Sequence, residues 1–203
     1  MTVLLASGEF PRHEIPRRLL AEAERVVCCD GAANELDAEG LSPDWIVGDL
    51  DSLAPALKAR YAERVVHVAS QDDNDLAKAF RFCVARGWRE IVILGAGGKR
   101  EDHLLGNISL LADFVREARV EMVTNAGVFT AFAESPAVLQ TQPGRQISIF
   151  SCDAETRVWG AGFKYPLGGL QLRRWWTATL NEATGASVEL RFERGPLIVF
   201  QVF

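Results

Sequence analysis

The strongest constraint on this chain is a repeated rhythm. Through roughly the first 125 residues, short apolar runs alternate with stretches of helical periodicity. The runs fall at 3–6, 25–29, 45–47, 65–68, 90–94 and 120–124. They carry few polar residues, which marks strands covered by helices on both faces. Parallel strands need such crossovers, because a tight turn cannot join them. The clearest helix is expected over 75–86, where Leu76, Phe80, Cys83 and Val84 recur at helical spacing and Gly87 follows as a stop. A second is expected over 103–118, with Leu104, Ile108, Leu111 and Val115 on one face.

After Asn125-Ala126-Gly127 the rhythm changes. Short alternating runs appear at 128–133, 146–151, 156–158, 187–192 and 197–203, broken by Pro136, Pro143-Gly144, Gly168-Gly169 and Gly195-Pro196. This pattern predicts a small antiparallel β domain. The expected fold class is α/β: an N-terminal Rossmann-like parallel-sheet domain over 1–126 and a C-terminal antiparallel β-sandwich domain over 127–203.

The chain has 203 residues, 48% of them hydrophobic, enough for a sizeable core. Its net charge of -5 argues against a non-specific nucleic-acid binder. No apolar run approaches the roughly 18 residues that span a bilayer. Met1 to Ala6 has no basic leader and reads as a first strand, not a signal peptide. The four cysteines, Cys28, Cys29, Cys83 and Cys152, form no C-x-x-C pair. They suit a reducing compartment, so a cytoplasmic protein is expected.

Open parallel sheets bind ligands beyond the carboxyl ends of their strands. Here those ends are acidic or glycine-rich: Asp30-Gly31-Ala32-Ala33-Asn34, Gly48-Asp49-Leu50-Asp51-Ser52, Gln71-Asp72-Asp73-Asn74-Asp75, and Gly95-Ala96-Gly97-Gly98-Lys99-Arg100-Glu101-Asp102-His103. In extended chain Asp49 and Asp51 would point the same way, with Leu50 opposite. Two converging carboxylates repel unless a cation lies between them, and an all-oxygen site suits magnesium. A plain turn, or a phosphatase with an aspartyl nucleophile, fits the same D-x-D. Asp73 or Asn74 can cap the helix at 75. Lys78, three residues after Asp75, suits a surface ion pair or a phosphate contact. The glycines at 95–98 let backbone N–H groups approach a phosphate, and the Arg100 guanidinium suits one. His103 reads as a structural histidine.

In this order and at these intervals, the four acidic and glycine-rich segments resemble the thiamine pyrophosphokinase family. Gly162-Phe163-Lys164-Tyr165-Pro166-Leu167, followed by Asn181-Glu182, resembles that family's thiamine-binding β domain. The resemblance implies transfer of the β,γ-diphosphate of ATP to the hydroxyl of thiamine, giving AMP. It implies magnesium on Asp49, Asp51 and Asp75. It implies ATP contacts at Asp30, Gly31, Asn34, Lys78, Gly98 and Arg100, and thiamine contacts at Gln71, Asp102 and Asn181. Asp51, Asp72, Asp75, Arg100 and Asp102 are the expected catalytic set, with Asp72 or Asp102 accepting the hydroxyl proton. The partners implied are ATP, thiamine and a second copy in a homodimer, with no nucleic acid and no membrane.

The chain departs from the family at three places. Asn74 stands where Thr is common, Leu180 where Ser is common, and Ser7-Gly8 where Asn-Gly is usual. Trp175-Trp176 is expected on a strand, one indole inward and one outward; the outward ring would either stack on a cationic thiazolium or simply pack. Two rival functions fit the same residues: a magnesium phosphatase using Asp49, and a non-catalytic nucleotide or thiamine sensor.

Overall fold

The computed structural model describes residues 1–70 and 72–203. The chain divides into two compact units, one of Met1–Leu110 with Glu117–Asn125 and one of Leu111–Arg116 with Ala126–Phe203.

In the first unit the expected alternation is present. Six strands, β1 (Thr2–Leu5), β2 (Arg25–Cys29), β3 (Trp45–Gly48), β4 (Val65–His67), β5 (Glu90–Leu94) and β6 (Arg119–Val123), pair in parallel in the order β6-β5-β1-β2-β3-β4. Five helices join them: α1 (Glu14–Ala21), α2 (Ala32–Ala38), α3 (Pro55–Arg60), α4 (Asp75–Ala85) and α5 (Glu101–Phe114). β1, flanked by β2 and β5, is buried along its whole length. Chain order reverses between β1 and β5, and ligands of open parallel sheets bind at the carboxyl edge beside such a switch point.

Those two loops are joined through main-chain atoms. Gly8 N–H donates to Gly95 O and Glu9 N–H to Gly97 O, each at 2.6 Å. A Cβ on Gly8 would lie 2.3 Å from the Gly95 oxygen, so only glycine permits the contact.

Two helix expectations shift. α4 ends at Ala85, with Arg86 as its cap. α5 begins at Glu101 and ends at Phe114; past it Arg116 N–H turns back to Asp113 O.

The second unit holds two antiparallel sheets, as expected. Its strands are β7 (Gly127–Phe132), β8 (Ala137–Gln140), β9 (Gln146–Ser151), β10 (Arg157–Ala161), β11 (Leu170–Gln171), β12 (Ala178–Glu182), β13 (Ser187–Phe192) and β14 (Leu197–Val202). One sheet runs β12-β9-β14-β7 and the other β11-β10-β13-β8. Alternate residues of β9 and β13 are buried, as half-exposed strands require. The core lies between the sheets, where Ile147, Ile149 and Val199 of one meet Val158, Val188 and Leu190 of the other.

The tryptophan pair departs from its expected setting. Trp175 and Trp176 lie in a turn, not a strand, because Thr177 N–H donates back to Arg174 O at 3.0 Å. Strand alternation therefore does not apply, and both rings are exposed, Trp176 by 71%. The Trp175 ring stands 5.9 Å from that of Phe150.

Candidate active site

The acidic segments of the first unit converge at the carboxyl edge of its sheet. Asp30 leaves β2 with φ +41, a left-handed backbone uncommon for any residue but glycine, asparagine or aspartate. Its N–H donates to Val47 O, and its Oδ2 accepts from Ser52 N–H at 3.0 Å. Its Oδ1 is buried and has no hydrogen-bond partner among the described residues. An unpartnered buried carboxylate oxygen is costly unless a ligand completes it.

Asp49 and Asp51 converge by a route other than the expected one. The strand stops at Gly48, and Leu50 adopts φ +66 with its side chain buried. This is a turn, in which Asp51 N–H reaches Asp49 Oδ1 at 3.4 Å. Ser52 Oγ donates to Asp51 Oδ1. The bend at Leu50, not strand alternation, sets both carboxylates beside Asp30. One oxygen each from Asp30, Asp49 and Asp51 lie within 4.8 Å of one another. This all-oxygen set can hold a divalent cation, and Asp30 brings to it a carboxylate whose Oδ1 has no hydrogen-bond partner among the described residues. Burial, with the nearby charges of Asp75 and Asp51, raises the Asp30 pKa, whereas its bond from Ser52 N–H works the other way.

Asp75, in the first turn of α4, sits close by. A Cβ at Gly48 would come within 2.8 Å of the Asp30 Cβ and 3.2 Å of Asp75 Oδ1. Asp75 Oδ1 accepts from the Lys78 ammonium at 2.9 Å, and Asp49 Oδ2 lies 3.7 Å from that ammonium. Lys78 is only 5% exposed. Burial opposes its charge, but the bond to Asp75 and the charges of Asp75 and Asp49 outweigh it and raise its pKa. Asn74 caps α4, its Oδ1 accepting from Ala77 N–H at 2.9 Å. Asp73 turns aside into a two-bonded pair with Arg81, which lowers its pKa.

A cleft of about 420 Å³ opens over these groups. Asp30, Asp49, Asp75 and Lys78 line one part; Arg100, His103 and the 96–97 backbone line another. Arg100 pairs with Asp102 through two hydrogen bonds and holds that carboxyl at about 2. Lys99 donates to Ser7 O at 3.0 Å and pairs with Glu35. Asn34 braces the turn after β3, donating to Ser52 O and accepting from Ala54 N–H. Asp72 is exposed and bonds Ser70. Gln71 lies outside the described residues.

In the second unit, Asn181 is buried and its amide serves the main chain. Oδ1 accepts from Tyr165 N–H and Glu182 N–H, and Nδ2 donates to Tyr165 O. It fixes the 163–165 loop. Leu180, at a bulge in β12, has φ +59 and is 68% exposed.

Three participants escape sequence reasoning: the Ser52 N–H, the Lys99 link to Ser7, and Asn107. Asn107 is buried mid-helix, accepting from Asn74 Nδ2 at 3.2 Å and donating to Ala96 O at 2.9 Å. A signal for it existed in Gly106-Asn107, two poor helix formers inside an apolar helical pattern. Nothing comparable marks the other two.

A family profile described as "Thiamin pyrophosphokinase, catalytic domain" matches residues 16–124, and one described as "Thiamin pyrophosphokinase, substrate-binding domain" matches 127–200. Thiamin pyrophosphokinase 1 of Caenorhabditis elegans is 29% identical over 185 residues, covering 84% of this chain and 76% of that protein. The thiamine pyrophosphokinase of Bacillus subtilis (strain 168) is 27% identical over 179 residues, covering 84% and 83%. The crystal structure of a thiamin pyrophosphokinase from Geobacillus thermodenitrificans superposes with a TM-score of 0.80 at 27% identity, covering 100% of this chain and 98% of that one.

Proposed function

The chain belongs to the thiamin pyrophosphokinase family, and from that premise we propose that it transfers the β,γ-diphosphate of ATP to the hydroxyl of thiamine, yielding thiamine diphosphate and AMP. The observation that carries this reading is the Asp30, Asp49 and Asp51 cluster, two of whose members, Asp30 and Asp49, line a cleft shared with Lys78 and Arg100. Acidic ligands and cationic side chains in one cleft suit a metal–polyphosphate substrate better than either charge alone.

In this reading Asp30, Asp49 and Asp51 hold Mg²⁺, with Asp75 beside them; the ion, when bound, neutralises and orients phosphate oxygens. Lys78 and Arg100 offset charge on the phosphates, and the glycine backbone around Gly98 approaches them without side-chain obstruction. Gly31, at the start of α2, and Asn34, which braces the turn after β3, are assigned nucleotide contacts in the same proposal. The thiamine oxygen forms a bond to the β-phosphorus as the bond to the AMP oxygen breaks. Such transfer asks for alignment and charge compensation, not a covalent enzyme intermediate. The hydroxyl proton passes to a nearby carboxylate, Asp72 or Asp102. Gln71, Asp102 and an exposed indole of Trp175 or Trp176 contact thiamine, and Asn181 acts through the Tyr165 loop it fixes. A homodimer belongs to the same proposal.

Mass spectrometry of the protein with ATP, Mg²⁺ and thiamine tests it. Thiamine diphosphate and AMP are expected in equal amounts. Inorganic phosphate released without thiamine would instead mark a phosphatase, and binding without AMP a sensor. Asp51→Asn, which keeps size but removes a charge from the cluster, should retain the fold by circular dichroism and lose at least about a hundredfold in kcat. Wild-type turnover in that variant would remove Asp51 from the metal set.

A further inference from the structure

Three hydrogen bonds run in one line through the first unit. Ala77 N–H donates to Asn74 Oδ1 at 2.9 Å, Asn74 Nδ2 donates to Asn107 Oδ1 at 3.2 Å, and Asn107 Nδ2 donates to Ala96 O at 2.9 Å. The direction is imposed at both ends. A backbone N–H can only donate and a backbone carbonyl can only accept, so neither amide can flip without losing a bond at each side. The line joins the start of α4, which carries Asp75 and Lys78, to the glycine-rich loop after β5, through α5. Asn107 is 8% exposed and is the sole link of this line on α5. Its cost to that helix, in a sequence position where a better helix former would do, calls for a return elsewhere.

We propose that Asn107 is a positioning residue: it sets the distance between the Asp75–Lys78 turn and the 95–98 loop, and thereby the alignment of the transferring phosphates. This rests on the diphosphate-transfer reading above. A side chain that only stabilised the fold would affect melting and not turnover. A side chain that aligns reacting groups affects kcat, because sub-ångström misplacement is felt mainly in the transition state.

The test uses Asn107→Ala, Asn74→Ser and the double variant in the full chain. Serine still caps α4, yet its hydroxyl is too short to reach Asn107. Hydrogen exchange should quicken roughly tenfold at 75–78 and at 95–98 in both single variants, and not in β1 or β6. The kcat should fall roughly tenfold to a hundredfold in Asn107→Ala, with the thiamine KM within about threefold of wild type. Asn74→Ser should lower kcat in the same sense, and the double variant should cost no more than Asn107→Ala alone, because the line is already cut. Unchanged kcat with a lowered Tm, or additive losses in the double variant, would overturn the proposal. Should Asn107→Ala fail to fold, Asn74→Ser decides by the same kcat and exchange readouts. A wild type that makes no AMP would sink the diphosphate-transfer reading instead; the exchange pattern then still decides whether the brace exists.

Discussion

Arg100 and Asp102 share two hydrogen bonds, and that pairing sets a measurable acidity. Hydrogen bonding to Arg100 pulls the Asp102 carboxyl from its ordinary 3.8 to about 2. The folded value lies below the unfolded one, so the pair's contribution to stability is complete above about pH 4 and fades as pH falls towards 2. Both side chains are well exposed, so that contribution is small and weakened by salt. Carbon-detected NMR titration should place the Asp102 midpoint near 2, and Arg100→Ala should return it towards 3.8; a wild-type midpoint already at 3.8 would dissolve the pair in solution. Trp176 offers a second residue-scale test. Its 71% exposure means truncation removes little packing. If its indole stacks on the thiazolium, Trp176→Ala should raise the thiamine KM roughly threefold to thirtyfold with an unmoved Tm. An unmoved KM would leave Trp175 as the candidate. The acidic residues were legible as a set, because so many aspartates at successive strand ends exceed what turns and helix caps need. The grouping was not: Asp30 joins Asp49 and Asp51 only because Asp30 and Leu50 both take left-handed backbone, which no residue pattern announces.

At the scale of elements, α4 shows why some boundaries read cleanly and others do not. Its start is marked by the Asn74 cap. Its end is a complete Schellman closure, with Gly87 N–H on Val84 O and Trp88 N–H on Cys83 O. Gly87 sits at φ +76 with no atom within 4 Å of where a Cβ would go. Gly87→Ala therefore measures backbone conformation alone: about 1 kcal/mol, or a Tm lower by roughly 2–4 °C. A neutral result would mean that the closure opens at no cost. The buried parallel strands were legible because nearly every residue in them is apolar. β12 was not, since its bulge at Leu180 breaks the alternation, and β11 is only Leu170–Gln171. The short helices α1 to α3 offer too few turns for a periodic signal. α2 also starts from Gly31 with no side-chain cap bond to mark its N-terminus.

Across the whole molecule, thiol chemistry gives a compact check of the fold. Cys28, Cys29 and Cys83 are buried, and burial pushes all three thiols up, Cys83 to about 12. Cys152 alone is exposed among the four. A chromogenic disulfide at pH 8 should therefore titrate one thiol in the native protein and four after denaturation. Rapid reaction of two or more native thiols would contradict the buried β2 and α4 environments. The change from parallel to antiparallel architecture was readable from rhythm alone, because the two sheet types bury different numbers of faces. Lys78 carries a consequence of its own at this scale. A pocket crowded with like charges is ordinarily an obstacle to folding, relieved in some small proteins only when an ion arrives from solution. Here the relieving charge is tethered to the polypeptide, where no chelator can remove it and no dilution can deplete it. The newly made chain can complete the Asp49–Asp75 side of this region before meeting any dissolved cation, and on the proposed reading stripping divalent ions should silence the site while lowering the melting transition by no more than the ion's own binding contributes.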